Sequence, residues 1–194
     1  MRIGIFGGTF NPIHNGHLIN AQMIKGDFSL DFILFIPSKM PVHKGLEGNV
    51  NSEERYEMVK LAIEDNSCFK SSRIEIDRKS PSYTKITIKE LQGMYKDNEL
   101  FFILGIDAFN ELNLWKDYKD VMKMIPFIVM NRLGSVDYNK EILGMIKEVI
   151  YANNLYIDIS SSYIRERIKI GESIKYLVPK KVEEYIRDKG LYIN

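Results

Sequence analysis

With a single cysteine, Cys68, the chain cannot form a disulfide within itself, so the oxidised, disulfide-stapled scaffolds drop out and a reducing, cytoplasmic setting is expected. Charge of one sign is equally scarce. The 27 Lys and Arg nearly cancel the 26 Asp and Glu, leaving a net +1. Such a chain has no general field for nucleic acid or anionic lipid, and any anion it binds must be met by local groups. Long hydrophobic runs are missing as well: "LFFILGI" (Leu100 to Ile106) is far too short to span a bilayer, and "MRIGIFGG" lacks a secretory core. No internal repeat, low-complexity tract or linker interrupts the sequence. What remains is 194 residues, 45% of them apolar, which is enough for one well-buried core. A single domain over 1–194 is expected, its C-terminal helical segment (about 160–194) packed on the rest.

Short β-rich runs alternate with segments of helical period. The strand candidates are "RIGIF" (Arg2 to Phe6), "FILFIP" (Phe32 to Pro37), "SRIEI" (Ser72 to Ile76), "LFFILG" (Leu100 to Gly105), "PFIVM" (Pro126 to Met130) and "LYIDI" (Leu155 to Ile159). Between them, "GHLINAQMIKGD", "SEERYEMVKLAIEDN", "TKITIKELQGMYKD" and "KEILGMIKEVIYANN" repeat apolar residues at three and four, as amphipathic helices do. This pattern predicts an α/β fold with a mostly parallel sheet and helices on both faces. Ligands of such sheets sit beyond the carboxyl ends of the strands, so the strand-to-helix turns hold the candidate site.

The first of these turns, "GGTFNPIHNGHL" (Gly7 to Leu18), holds two of the chain's three histidines. Gly7 and Gly8 allow close backbone approach, and Asn11-Pro12 suggests a tight turn before a helix starting near Asn15 or Gly16. Backbone N–H groups and the positive end of that helix would then face one small volume, the usual way of holding phosphate. His14 and His17, three apart, can share a face of the incoming turn. A plain structural turn and half a metal site are the rival readings; metal is the weaker, because His43 sits far off in the polar loop Pro37 to Asn51 and no cysteine cluster completes a ligand set. In the last turn, "DISSSYIRERI", Ser160, Ser161 and Ser162 are candidate N-caps. Arg165 stands where a capping box would place Glu. A cation in the first helical turn costs about 0.3–1 kcal/mol against the dipole, whereas a charge-assisted bond to phosphate contributes about 1.5–3 kcal/mol. Arg165 therefore fits an anion better than it fits an ordinary helix start, although an ion pair with Asp158 or Glu166 remains open.

Several further residues are ambiguous on spacing alone. Lys44 and His43 are ordinary solvated loop residues or phosphate contacts; Trp115 is a core residue or a stacking platform; Asp107 is a helix cap or a sugar ligand; Thr84, after Tyr83, is a cap or a backbone donor to a carboxylate. The helix from Ser52 reads as structural, with Met58 and Leu61 facing the core.

The ordered motifs carry a resemblance. "GGTFNPIHNGHL" resembles the (H/T)xGH signature of the nucleotidyltransferase superfamily. "PSKMPVHK" is similar to a P-x-x-x-P-P-H-K loop, "SPSYT" to an S-Y-T segment, "GID" to a G-x-D turn and "ISSSYIRERI" to an I-S-S-T-x-I-R helix start; with the ending "YLVPKKVEEYIRDKGLY" the set looks like the bacterial nicotinate mononucleotide adenylyltransferases over almost the whole chain. That resemblance implies a Rossmann-like nucleotidyltransferase fold. It implies ATP and nicotinate mononucleotide as partners, and Mg²⁺ carried in with ATP instead of held in a protein cage. By the same resemblance His14, His17, Lys44 and Arg165 act on the phosphates. Gly7, Gly8, Thr9, Phe10, Asp107, Ser161 and Ser162 join the two histidines and Arg165 in holding ATP, and Thr9, His43, Lys44, Tyr83, Thr84 and Trp115 hold the pyridine nucleotide. The implied reaction needs no strong general base, since a phosphate nucleophile is already anionic, which suits a chain with no evident nucleophile–base triad. Three positions depart from the pattern: Val42, Leu133 (after Arg132) and Ile86, the last near the expected nicotinate pocket. Another nucleotidyltransferase, using phosphopantetheine or a cytidylyl donor, and a silent nucleotide-binding module are the rivals. A homo-oligomer is compatible with the sequence, which does not set the oligomeric state.

Overall fold

The structure, a computed structural model, describes residues 1–39, 48–131, 140–146, 148–152 and 157–193. His43, Lys44, Val42, Arg132 and Leu133 lie outside the described residues. Six parallel strands, β1 (Arg2–Gly8), β2 (Phe32–Pro37), β3 (Phe69–Ser71), β4 (Glu99–Gly105), β5 (Phe127–Met130) and β6 (Val149–Ala152), form one sheet in the order β3-β2-β1-β4-β5-β6. The chain first builds outward from β1 to β3, then returns to the other side of β1 and builds outward again. A crevice therefore opens between the carboxyl ends of β1 and β4, where a doubly wound sheet takes its ligand.

The strands alternate as their sequences require. Ile33 and Phe35 point to one face while Phe32, Leu34 and Ile36 point to the other, and all five are buried. On the first face pack α1 (Asn15–Asp27), α2 (Ser52–Ile63), α7 (Ser161–Lys169) and α8 (Lys180–Lys189), through Ala21, Ile24, Met58, Val59, Ile164, Val182 and Ile186. On the second pack α3 (Thr84–Met94), α4 (Ile106–Asn110), a 3₁₀ turn (Leu112–Leu114) and α5 (Tyr118–Met124), through Ile88, Leu91, Phe109, Leu112, Val121 and Met122. A short α6 (Lys140–Leu143) adds Ile142 there. Among the described residues no helix is long and apolar enough to cross a membrane.

Three expected elements differ. "SRIEI" is not a strand: β3 ends at Ser71, and the chain turns because the Ser72 hydroxyl accepts from Ile74 N–H (3.2 Å) and Asp77 N–H donates to Arg73 O (2.9 Å). "KEILGMIKEVIYANN" is not one helix but a four-residue helix followed by β6, whose Val149 to Ala152 pair with Phe127 to Met130. Short apolar runs are ambiguous locally, and here pairing with β5 decides. In "LYIDI", Leu155 and Tyr156 lie outside the described residues, and Ile157 to Ile159 are irregular.

Candidate active site

The site begins where β1 leaves the sheet. Gly8 leaves space for Phe10: a Cβ there would lie 2.9 Å from Cζ of that buried ring, which is in edge contact with Phe6 (5.6 Å between centroids) and His17 (5.2 Å). Four carbonyls of this turn are held by donors from the surrounding elements. Gly8 O accepts from Ser38 N–H (2.9 Å), Thr9 O from the Arg55 Nη1 (2.6 Å), Asn11 O from the Arg165 Nη1 (2.9 Å) and Pro12 O from the Ser161 hydroxyl (2.8 Å). Because a planar trans peptide points its N–H opposite its C=O, the N–H groups of Thr9 and Phe10 turn away from these donors. This is the arrangement a phosphate-binding turn requires.

The helix α1 follows, with His14 as its N-cap in extended conformation (φ −146°, ψ 168°) and His17 in its first turn. The two imidazoles stack at 3.6 Å between centroids with 27° between their planes. Gly16 makes room for that stack: a Cβ there would stand 3.1 Å from His14 Nδ1. His14 N–H donates to His17 Nδ1 (3.2 Å). A neutral ring that accepts at Nδ1 carries its proton at Nε2, so His17 presents an N–H donor at its outer nitrogen. Burial, aided by the positive charge that His14 can carry, holds the His17 pKa well below 6.5, and the ring is neutral at neutral pH.

The last turn meets the first. Ser160 caps α7, its hydroxyl accepting from Tyr163 N–H (3.1 Å), which leaves the next two serines to other tasks. Ser161 reaches Pro12 O, and Ser162 accepts from Arg165 Nη2 (3.1 Å). Arg165 is buried, only 7% exposed, with its guanidinium against Asn11. Of the residues expected to share a site, Ser161 and Arg165 reach Pro12 and Asn11, Ser162 holds Arg165, and His17 touches Phe10 with His14 stacked on it.

On the other side of Gly7 to Thr9 lies a cavity of about 290 Å³, bounded also by Tyr83, Thr84, Phe102 and Trp115. Trp115 meets the Phe102 ring edge to face at 6.2 Å and is only partly exposed. Thr84 is not a capping residue: Tyr83 is the N-cap of α3, without a side-chain cap bond, and Thr84 begins the helix at the cavity wall. Ile86 is not among the described residues lining the cavity. Asp107 is not a cap either, since Gly105 caps α4; it stands exposed in the first turn after β4.

Sequence reasoning missed three groups. Arg55 is completely buried and holds Thr9 O, Ser38 O (2.6 Å) and Lys39 O (3.0 Å) at once, tying the exits of β1 and β2 together. Its signal was readable: it occupies the core-facing stripe of α2 with Met58, Val59 and Ala62, where a charge has no ordinary place. Glu75, in the turn after β3, lines the cavity with its carboxylate accepting from the Thr87 hydroxyl (2.7 Å); burial pushes its pKa up, opposed by bonds from Thr87 and Ser82 and by Arg78. Lys116 also lines the cavity, its ammonium 4.4 Å from the centre of the Tyr83 ring. Neither of the last two carries a local motif. Among the described residues no group of three or more His, Cys, Asp or Glu is placed to hold a metal ion.

A doubly wound parallel sheet whose last strand-to-helix turn closes on its first, with an HxGH pair at the start of the helix that follows, is the arrangement of a nucleotidyltransferase. Residues 5–167 match the model of the cytidylyltransferase-like family, and the chain belongs to that family. Curated proteins similar to this chain include several described as probable nicotinate-nucleotide adenylyltransferases. One from Desulfitobacterium hafniense strain Y51, described as "Probable nicotinate-nucleotide adenylyltransferase", is 42% identical over 98% of this chain and 95% of its own. One from Dictyoglomus thermophilum with the same description is 42% identical over the full length of both. The fold is also that of the Plasmodium falciparum nicotinic acid mononucleotide adenylyltransferase complexed with NaAD, at a TM-score of 0.80 and 21% identity, covering 98% of this chain and 97% of that one.

Proposed function

We infer that the chain transfers the adenylyl group of ATP to the 5′-phosphate of nicotinate mononucleotide, giving nicotinate adenine dinucleotide and pyrophosphate in NAD biosynthesis. The single observation that carries this reading is that Ser161 and Arg165 reach Pro12 and Asn11 while the His14–His17 stack rests against Phe10 of the same turn, next to a cavity walled by Tyr83, Thr84 and Trp115. Full-length similarity at 42% to proteins described as nicotinate-nucleotide adenylyltransferases supports it.

In the proposed step an oxygen of the mononucleotide phosphate attacks the α-phosphorus, a new O–P bond forms, and the bond to the β-phosphate oxygen breaks with its electron pair leaving on pyrophosphate. The nucleophile needs no base, so the protein's task is alignment and stabilisation of growing charge. Neutral His17, donating through Nε2–H, meets phosphate oxygen without bringing a charge of its own, and His14 stacked on it serves the neighbouring phosphate. Arg165 has a double task, fixing Asn11 while adding positive charge beside the turn. The backbone of Gly7 to Phe10 positions the triphosphate, with Asp107 at the nucleoside end. His43 and Lys44 keep the phosphate and mononucleotide roles that the resemblance assigns them. The substrate is MgATP, the ion held by phosphate oxygens and water.

Trp115 stacks on the pyridine ring in the cavity. The start of α3 at Thr84 and the Lys116 ammonium favour a carboxylate on that ring, which supports the acid over the amide mononucleotide. A single domain fits α7 and α8 sharing a core with the sheet, and a cytoplasmic setting fits the lone thiol Cys68. Parallel kinetics with nicotinate and nicotinamide mononucleotides under identical MgATP test the reading. Dinucleotide and pyrophosphate should form in equal amounts, with the higher kcat/KM for the acid. ATP binding without pyrophosphate, or a better rate with phosphopantetheine, overturns it.

A further inference from the structure

We propose that Tyr192, near the end of the chain, is a positioning residue for adenylyl transfer, holding the phosphate-facing turn through the side chain of Asn11. This rests on the function inferred above.

The Tyr192 hydroxyl donates to Asn11 Oδ1 at 2.7 Å across 181 residues of sequence, in a buried contact. Asn11 is itself buried, and its carbonyl takes the bond from Arg165. One residue of the turn is therefore gripped from two directions, by α7 through its backbone and by the chain terminus through its side chain. The surrounding geometry serves this grip. Helix α8 ends at Gly190 in left-handed conformation (φ +61°), Leu191 N–H returns to Ile186 O (3.0 Å), and the chain then turns inward. Tyr192 itself is left-handed, at φ +65°, a conformation that bulky residues seldom adopt and that the surroundings must enforce. Its ring lies against Gly48, where a Cβ would come within 2.7 Å of Tyr192 Cδ1, so a side chain there would push the phenol aside. Burial also pushes the phenol pKa well above its ordinary value, with Arg165 and Arg55 opposing, so the hydroxyl keeps its proton and remains a donor.

The ring alone would fill this space. The hydroxyl does something the ring cannot: it holds the Asn11 side chain and, together with the Arg165 bond to Asn11 O, anchors the residue next to Phe10, whose ring touches His17. A misplacement of this turn by a fraction of an ångström appears in turnover, whereas neither Asn11 nor Tyr192 lines the cavity that takes the pyridine nucleotide, so binding there changes little.

Tyr192→Phe in the full-length protein tests this, with pyrophosphate release normalised to folded enzyme. The expected result is a fall in kcat of about tenfold, or about 1.4 kcal/mol, with KM for nicotinate mononucleotide within about twofold. Asn11→Ala reads the same bond from its other end while keeping the tyrosine, and the double variant should be no worse than the poorer single one. Leu191→Ala loosens the same segment without touching the hydroxyl, and should lower the Tm while leaving kcat per folded molecule unchanged. Unchanged kcat in Tyr192→Phe, additive losses in the double variant, or an equal loss in Leu191→Ala overturns the proposal. Absence of dinucleotide from the unmodified protein would instead overturn the functional reading.

Discussion

Replacing Arg55 by Met separates the two tasks that this buried residue performs. Methionine keeps the volume and helix propensity at that place in α2, so the change removes the charge and its donors and little else. Three main-chain carbonyls, those of Thr9, Ser38 and Lys39, lose their partner. Each buried acceptor left unsatisfied costs about 1–3 kcal/mol, and release from burying a guanidinium returns part of the sum. Burial lowers the Arg55 pKa, opposed in part by Glu75. A net loss of about 2–4 kcal/mol follows, large against the roughly 5–15 kcal/mol of a typical domain yet compatible with folding. In urea the midpoint should fall by about 1–2 M, with the slope unchanged. Turnover should fall further than stability explains, by about 10² in folded enzyme, because Thr9 O is freed and the N–H of Phe10 loses its direction. Arg55→Lys, a point charge able to reach one carbonyl but not all three, should recover only part of each. A midpoint within about 0.3 M of the parent together with kcat within twofold would refute the reasoning.

Acid should destabilise the protein in part through His17. Its folded pKa lies well below 6.5, so as pH falls below that value the unfolded chain takes up a proton that the folded one refuses, and stability declines. Denaturation measured from pH 7.5 to 5.5 should therefore show a shallower decline in His17→Gln than in the parent; identical slopes would contradict the assignment. Two glycine substitutions should part company. Gly4→Ala pushes a Cβ to 2.8 Å from Ile103 Cδ1 inside the core and should cost about 1–3 kcal/mol of stability with kcat unchanged per folded molecule. Gly8→Ala instead pushes on the Phe10 ring that touches His17, and calorimetry beside pyrophosphate assays should show turnover falling more than the Tm does.

Legibility in the sequence followed the range of the interactions. Strands β1, β2, β4 and β5 are covered on both faces, so their sequences are nearly continuous apolar runs. β3 and β6 are short edge strands whose existence depends on pairing with Ile33 to Phe35 and Phe127 to Met130, and neither leaves a periodic trace of its own. The same division holds within the site. The first turn is local, so glycines, histidines and helix start stand together in "GGTFNPIHNGHL" and can be read in one pass. Arg55 and Tyr192 reach that turn from 46 and 181 residues away, and only the three-dimensional structure shows their targets. Arg165 was legible as a misfit at a helix start, but its bond to Asn11, which makes it part of the scaffold as well as of the charge, was not.

The central claim is that the imidazoles at the start of α1 face a triphosphate and stabilise its transfer. Pyrophosphate release by His17→Ala at saturating MgATP and nicotinate mononucleotide tests it most directly, with circular dichroism confirming the fold. Loss of one such donor predicts a fall in kcat of about 10²–10³. A folded variant turning over at close to the parent rate would contradict the account.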